Sequence, residues 1–499
     1  MAVLESGAAG QGLRIVDLEP RAAIVCISLW LGATALYLAT ACPTVFWYDS
    51  AEYTAAAWTL GVPHPPGYPV YVWLGYLFTQ LTDDPAYGLN IMSGLFGGLA
   101  VGATYGLARE FSLRTLGATT AALAVALNPV FWRNAVIAEV YTPALFVLAC
   151  VWWLAIRGVR EHRPRWLVTA AAVAGVGLGL HLFVATTGLG LAYLVFSFPR
   201  EATSTVSARR GPSQAQLVVV CLLAAFVGAS VLAWVPIRAA MEPAVNFQTP
   251  AQGNAWWWML SGGQYKHWFV APLSGARVWG IVRIFADFVS WPGLLAGVVG
   301  LGVLARRRRA LGMSLILGIA GNVWFFSDYK VHDVENFFLP AGLLLACGVG
   351  AAVDELARCG FSRRVTPRLV AIIAFVVFWT LRLFSGFGRN DLAEYREAQH
   401  WGEQACRELP TDAIVINYTT FTEWKFDAVL RSYYRVVRSR RPDLRFWLVP
   451  DAQEVAAAVT QGLPVFAYQP VPMLTSKFDL QPHGGLYRVF VRPARPTDP

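Results

Sequence analysis

Charge is what this sequence has least of. Of its 499 residues 14% are charged and 56% hydrophobic, against about 25% charged in an ordinary soluble domain. Paired cysteines are lacking too. Cys26, Cys42, Cys150, Cys221, Cys347, Cys359 and Cys406 fall mostly in apolar runs and no CxxC occurs, so neither a zinc site nor a disulfide framework is indicated. There is no P-loop, no dinucleotide glycine fingerprint, no HExxH, no GxSxG and no internal repeat. The net charge of +9 comes from basic residues in short loops between apolar runs, without a basic–aromatic stripe, so no nucleic-acid partner is expected.

What is present is a succession of apolar runs of about 20 residues, each long enough to cross a bilayer as a helix. They predict spans near 22–42, 88–108, 115–131, 140–157, 166–181, 182–198, 215–236, 279–304, 310–327, 337–357 and 367–386. The expected fold class is an all-α polytopic membrane protein of about 11 transmembrane helices with a small C-terminal α/β extracytoplasmic domain. Its parts are a cytoplasmic N-terminus (1–21), the transmembrane domain (22–387, first outer loop 43–87) and the α/β domain (388–499). Arg14 and Arg21 ahead of the first run, and Ala39-Thr40-Ala41 after it, resemble a signal peptide. The run exceeds the roughly 7–15 residues of a signal core, so it reads as a retained helix. Strands are expected at Ala413–Asn417, Arg445–Val449, Val465–Tyr468 and Leu486–Val491, with helices at Leu392–Glu408, Glu423–Val437 and Ala452–Thr460.

Tyr68–Leu81 is apolar but 14 residues long, and it reads as a helix lying at the interface. With that segment left out of the span count, nearly all loop arginines fall on one side. The other side receives Arg133, Arg238, Lys266, Arg277 and Lys330. The positive-inside rule makes that second side extracytoplasmic. Asp49, Glu52, His64, Glu139, His181, Arg238, Lys266, Asp328, Lys330, His332, Asp333 and Glu335 all lie on it or at helix ends facing it. Such one-sided clustering favours a site, because charge at a membrane is costly.

Residues 45–69, VFWYDSAEYTAAAWTLGVPHPPGYP, carry two acids and a histidine and no lysine or arginine. Asp49 and Glu52 are three apart, on one helical face. Such a pair can share a proton, bind a cation or serve as base and orienter. Alternatively, Asp49 caps the helix and Glu52 strengthens its N-terminus. His64 sits on a rigid Pro-Pro-Gly turn and could relay a proton, bind phosphate or merely hydrogen-bond there. Glu139 could accept a sugar hydroxyl or favour a helix start; His181 after GVGLGL could act or be satisfied by a carbonyl. Arg238 could snorkel or grip a phosphate. The loop from Arg238 to Arg277 carries Trp256, Trp257, Trp258, Gln264, Tyr265, Lys266, His267 and Trp268, fit for interface anchoring or sugar stacking.

Asp49-Ser50-Ala51-Glu52, Leu60-Gly61-Val62 and His64–Pro69 together resemble the opening signature of a GT-C superfamily membrane family, the transmembrane O-mannosyltransferases. Trp132, Ala135-Val136, Glu139-Val140-Tyr141, His181, Arg238, Gln264-Tyr265 and Asp333 before Phe337-Phe338-Leu339-Pro340 extend the likeness over about residues 22–345. Ala51 departs from the family's usual glycine, and the C-terminal domain matches poorly. The resemblance implies a glycosyltransferase moving a hexose, mannose by family, from a polyprenyl-phosphate carrier to a hydroxyl on protein or glycolipid. It implies the outer face of a bacterial inner membrane, with membrane lipids as surroundings. Asp49 and Glu52 would be catalytic; His64, Glu139, Tyr141, His181, Arg238, Tyr265, Lys266, Lys330 and Asp333 would bind substrate. No cofactor beyond the lipid-linked sugar and no metal ligands are expected, with a divalent requirement left open. The competing reading is a transporter or lipid flippase. One-sided charge and the missing inverted repeats weigh against it.

Overall fold

A computed structural model describes residues 20–197, 213–247, 255–269, 274–358, 365–418 and 420–492. The chain opens with α1 (Pro20–Ala39), α2 (Asp49–Thr59), α3 (Pro69–Thr79), α4 (Pro85–Glu110), α5 (Thr115–Ala126), α6 (Pro129–Ala135) and α7 (Tyr141–Arg160). Next come α8 (Pro164–Gly177), a 3-10 turn at Leu182–Thr187, α9 (Gly188–Phe196), α10 (Gln214–Ala229), α11 (Trp234–Ala239) and α12 (Ala255–Leu260). The bundle closes with α13 (Gly275–Val289), α14 (Trp291–Arg307), α15 (Arg309–Phe326), α16 (Leu339–Arg358) and α17 (Val365–Asn390).

Among the described residues seven helices are long and apolar enough to cross a membrane, or nine if two bent pairs each count as one. The polytopic helical class stands, while the expected count of about 11 spans exceeds this number. The run 279–304 is two helices, bent by 96° at Ser290. Pro292 starts the new helix and Ser290 Oγ caps it through Gly293 N–H. The run 115–131 bends by 64° where Asn128 caps α6 and Pro129 opens it. The predicted 166–181 and 182–198 are shorter apolar pieces, separated by an unwound link ending at His181. Those four places account for the difference.

Packing is built on small residues. The centre is α16, against α14, α5 and α15, while α1, α4, α7, α8 and α10 form a second series of neighbours. At Gly300 an added Cβ would lie 1.9 Å from Gly348 O, so only glycine lets α14 and α16 approach this closely. The short helices α2 and α3 fill the first outer loop. Asn90 Nδ2 donates to the carbonyls of Cys42 and Thr44, and Ser50 Oγ donates to Ala138 O. On α3, Trp73, Tyr76 and Leu77 stay exposed, as suits an interfacial helix.

Beyond α17 come α18 (Glu397–Glu408), β1 (Ile414–Asn417), α19 (Phe421–Asp427) running on as a π-helix to Val437, β2 (Arg445–Leu448), α20 (Ala452–Thr460), β3 (Val465–Ala467), α21 (Pro472–Thr475), β4 (Phe478–His483) and β5 (Leu486–Val491). The sheet order is β2-β1-β3-β5-β4. β1 pairs in parallel with β2 and β3, and β5 antiparallel with β3 and β4. Alternation along β1 sends Ile414 and Ile416 into one small core and Val415 into another across the sheet. β4 is a strand the pattern did not predict. Its DLQPH is polar because it lies at the sheet edge, where Pro482 is tolerated.

Candidate active site

The site begins where α1 hands over to α2. Asp49 is the first residue of α2, and the N-cap position before it is Tyr48. The N-cap itself is therefore not Asp49. Its Oδ1 instead accepts from Trp424 Nε1 at 2.8 Å, and 36% of its side-chain surface remains accessible. One turn on, Glu52 is 2% exposed. Its two oxygens take the backbone N–H of His64 at 3.0 Å and His64 Nδ1 at 2.5 Å. A carboxylate only accepts, so Nδ1 carries the proton and Nε2 faces the site.

The local chain explains how His64 returns to α2. Leu60 ends the helix in the left-handed region at φ 49°. Val62 then bridges to residues 245–247, its N–H donating to Val245 O at 2.7 Å and its carbonyl accepting from Phe247 N–H at 2.9 Å. The following turn closes with Gly67 N–H on His64 O at 2.9 Å. Gly67 has φ 89°, and an added Cβ would lie 3.0 Å from Val235, so glycine is required there twice over. His64 Nε2 thus stands 3.2 Å from Tyr53 Oη, 3.3 Å from Tyr68 Oη and 3.9 Å from Asp49 Oδ2.

Three further loops close the pocket. His181 Nδ1 accepts Phe183 N–H at 3.0 Å, which fixes the neutral ring with its proton on Nε2. Tyr68 stacks on that ring at 5.8 Å, and Tyr141, Phe183 and Phe337 surround it. Tyr141 Oη donates to Asp333 Oδ2 at 3.5 Å, and Asn336 Nδ2 donates to the same oxygen at 2.8 Å. The result is an aromatic wall with carboxylates set along it, an arrangement that can stack a sugar ring and bind its hydroxyls.

The charges interact strongly. Burial raises the Asp49 carboxyl above the usual range; His64 and the Trp424 N–H oppose this while Glu52 adds to it. Burial also raises Glu139 well above the usual range and raises Asp333, each reinforced by Asp49. For His64 burial alone would lower the pKa, but Glu52 and Asp49 outweigh it and bring it to about 9.

Asp49, Glu52, His64, Glu139, Tyr141, His181 and Asp333 are therefore brought together. Tyr265 joins them at the turn, its Oη donating to Pro65 O at 3.3 Å. Arg238 does not. It donates to Thr59 O at 3.1 Å and Leu60 O at 2.6 Å, at the C-terminus of α2 and the opposite end from Asp49. Lys266 and Lys330 are exposed. Beside Asp49 the cationic neighbour among the described residues is His64. The side chains of Trp256, Gln264, His267 and Trp268 lie outside the described residues.

Sequence reasoning missed Tyr53, Tyr68, Asn336, Phe247 and above all Trp424. Tyr53 and Tyr68 stood within the opening stretch. Nothing in the sequence pairs Trp424 with Asp49 across 375 positions. Asp49, Glu52 and His64 offer ligand atoms within 4.8 Å of one another, close enough to hold an ion. An ion held there through His64 Nε2 would leave the Nδ1–Glu52 hydrogen bond in place.

Residues 49–206 match the family described as protein O-mannosyl-transferase TMEM260 N-terminal domain. The protein O-mannosyl-transferase tmem260 of Dictyostelium discoideum is 27% identical over 160 residues, 30% of this chain and 20% of that protein. TMEM260 of Mus musculus is 29% identical over 136 residues, 27% of this chain and 19% of that protein. The match thus spans about a fifth of these relatives. ArnT from Cupriavidus metallidurans, solved with undecaprenyl phosphate, superposes with a TM-score of 0.61 at 14% identity, covering 94% of this chain and 97% of that one. The Archaeoglobus fulgidus oligosaccharyltransferase gives 0.50 at 13% identity, covering 83% and 63%. The chain thus shares the fold of ArnT, a helical bundle followed here by a small C-terminal five-stranded sheet.

Proposed function

We propose that the protein is a membrane-bound glycosyltransferase that moves a hexose, mannose by kinship, from a polyprenyl-phosphate carrier to a hydroxyl on a protein or glycolipid. The reaction takes place at the extracytoplasmic face of a bacterial inner membrane. The observation that carries the reading is the setting of Asp49. One oxygen is held by Trp424, the other stands near His64, and 36% of the side chain stays accessible beside an aromatic cluster. The TMEM260 match covers this stretch, and ArnT, solved with undecaprenyl phosphate, shares the fold.

In the proposed reaction Asp49 takes the proton of the acceptor hydroxyl as its oxygen bonds to the anomeric carbon. The bond from that carbon to phosphate oxygen breaks, and polyprenyl phosphate leaves with the electron pair. A raised pKa makes Asp49 a stronger base than an exposed carboxylate. Glu52 holds His64 in place and charged, and the imidazolium offsets negative charge as phosphate departs. Tyr141, His181, Glu139 and Asp333 would seat the sugar, with Tyr265 steadying the turn. A cavity of about 420 Å³ lies beside the Asp333 loop, lined by Arg277, Ile281, Ile284, Phe326, Lys330 and Val334. Its apolar wall and its two cations, Arg277 and Lys330, suit a lipid phosphate, and the exposed Lys266 would meet one from solvent.

The test is transfer of labelled mannose from polyprenyl phosphate to a serine/threonine peptide by the purified protein in lipid nanodiscs. Asp49→Asn should abolish it while the protein stays monodisperse and equally heat-stable. A folded Asp49→Asn protein with full activity overturns the assignment.

A further inference from the structure

The C-terminal sheet domain reaches the reacting carboxylate through Trp424. Trp424 Nε1 lies 2.8 Å from Asp49 Oδ1. An indole N–H can only donate, so it fills Oδ1 and leaves Oδ2 as the oxygen turned toward His64. A carboxylate on a single Cβ can rotate. A base must be held near its reactive geometry, and a misplacement of about 1 Å can cost about a hundredfold.

Two further features set where Trp424 stands. The first is the start of α19. Thr420 Oγ1 accepts the N–H of Glu423, while Glu423 Oε2 accepts from Tyr418 N–H, Thr420 N–H and Thr420 Oγ1. Glu423 is fully buried, so the turn joining β1 to α19 is tied down one residue before Trp424. The second is the dock itself. Lys425 Nζ sits 4.4 Å above the Trp47 ring, two residues before Asp49. Phe426 meets the same ring edge-on at 5.5 Å, Trp47 Nε1 donates to Tyr395 Oη at 2.8 Å, and Tyr433 Oη donates to Asp84 Oδ1 at 2.8 Å. The π-helix that continues α19 packs along α2. The sheet domain and the first outer loop thus hold the two ends of the Trp424–Asp49 bond.

We propose that Trp424 is a positioning residue for Asp49, and that the C-terminal domain completes the catalytic site rather than hanging beside it. This rests on the glycosyltransferase reading above. Trp424 makes no bond to substrate in the proposed reaction. It selects which oxygen of Asp49 serves as base.

The test replaces Trp424 in the full-length protein with 3-benzothienylalanine, which keeps the two-ring shape and exchanges N–H for sulfur. Trp424→Phe is the second variant, and Lys425→Ala is a docking control that keeps the indole. Transfer is measured with polyprenyl-phosphate mannose and a hydroxyl peptide in nanodiscs, beside thermal unfolding. The expected result is a fall in kcat of about tenfold or more for both Trp424 variants, the scale of one hydrogen bond to a charged group. KM for the lipid donor should stay unchanged, and the benzothienyl protein should unfold at the wild-type temperature. Lys425→Ala should lower the unfolding temperature more than kcat. A benzothienyl protein with wild-type kcat, beside an inactive Asp49→Asn, overturns the positioning role and leaves the glycosyltransferase reading standing. Full activity in Asp49→Asn removes both. Loss of activity in step with unfolding in both Trp424 variants reduces Trp424 to a packing residue and also overturns the proposal.

Discussion

The two ends of the helix bundle treat their acids in opposite ways. At the arginine-rich end, Asp354 is 2% exposed and takes Arg358 at 2.8 Å and the Arg114 N–H at 3.1 Å. Glu161 takes Arg157 at 2.6 Å, Glu110 pairs with Arg160, and Glu355 takes Arg307 at 2.5 Å. At the other end Asp49, Glu52, Glu139 and Asp333 crowd together, and the ion partner found there among the described residues is His64. The contrast shows in titration. Glu161 is lowered despite the cost of burial, through bonds from Arg157 and Trp166, whereas Asp49, Glu139 and Asp333 are raised. Paired acids hold a loop in place. Acids left to repel one another in a pocket are poised to change protonation, which is what a base does.

The largest effects should therefore cross over. Asp49→Asn should lower transfer by about a hundredfold or more, the scale of general-base catalysis. It should leave thermal stability unchanged or raised, since it removes repulsion from Glu52 and Glu139. Asp354→Ala should do the reverse. It should cost about 2 kcal/mol of stability, less than a fully buried pair because Arg358 keeps 34% of its side chain in solvent, with normal turnover per folded molecule. Parallel activity and unfolding measurements decide it. If the two variants behave alike, the two ends do not differ in the way described.

Next in size is the Glu52–His64 pair. The folded His64 pKa of about 9 lies above its ordinary 6.5. The stability it contributes is fully present below 6.5 and is lost as pH rises through about 9. Transfer should fall over the same alkaline limb as the imidazolium deprotonates. Glu52→Gln removes the main partner, so the limb should move to lower pH and kcat at neutral pH should drop by about tenfold. An alkaline limb that stays fixed in the Glu52→Gln protein would show that His64 does not set it.

The fold was legible wherever it depends on local pattern. Spans such as α4, α7 and α16 follow from apolar length, and α2 and α3 from the short runs either side of HPPGYP. The 96° bend was legible too, in Ser290-Trp291-Pro292-Gly293, but counting hydrophobicity over 279–304 averages it away. The Gly484-Gly485 turn ahead of β5 was a hairpin signal for β4, masked by the polar residues of an edge strand. In the site the acids and His64 were readable because one 25-residue stretch, 45–69, holds three of them. Trp424 was not, because its contact depends on how a separate domain docks. Arg238 misled for a related reason. A guanidinium near an acidic segment invites a phosphate role, yet carbonyls at the end of α2 are an equally good partner.

That reassignment yields the next expectation. Arg238→Ala should destabilise the turn between α2 and His64 by about 1 kcal/mol and reduce kcat a few-fold through it, leaving the salt dependence of donor binding intact. A rise in donor KM that grows at low ionic strength would return Arg238 to the phosphate.

The smallest effect belongs to Lys330, one of the two cations that line the 420 Å³ cavity. It is exposed, so water and salt screen its field, and its attraction for a lipid phosphate is worth about 1 kcal/mol or less. Lys330→Ala should therefore raise KM for the polyprenyl-phosphate sugar a few-fold with kcat unchanged, and the difference should vanish in about 0.5 M salt. A large, salt-insensitive loss of kcat would mean that Lys330 turns inward on substrate binding and neutralises the departing phosphate directly. The acid-rich end would then acquire, in the working complex, the basic partner that the arginine-rich end holds at rest.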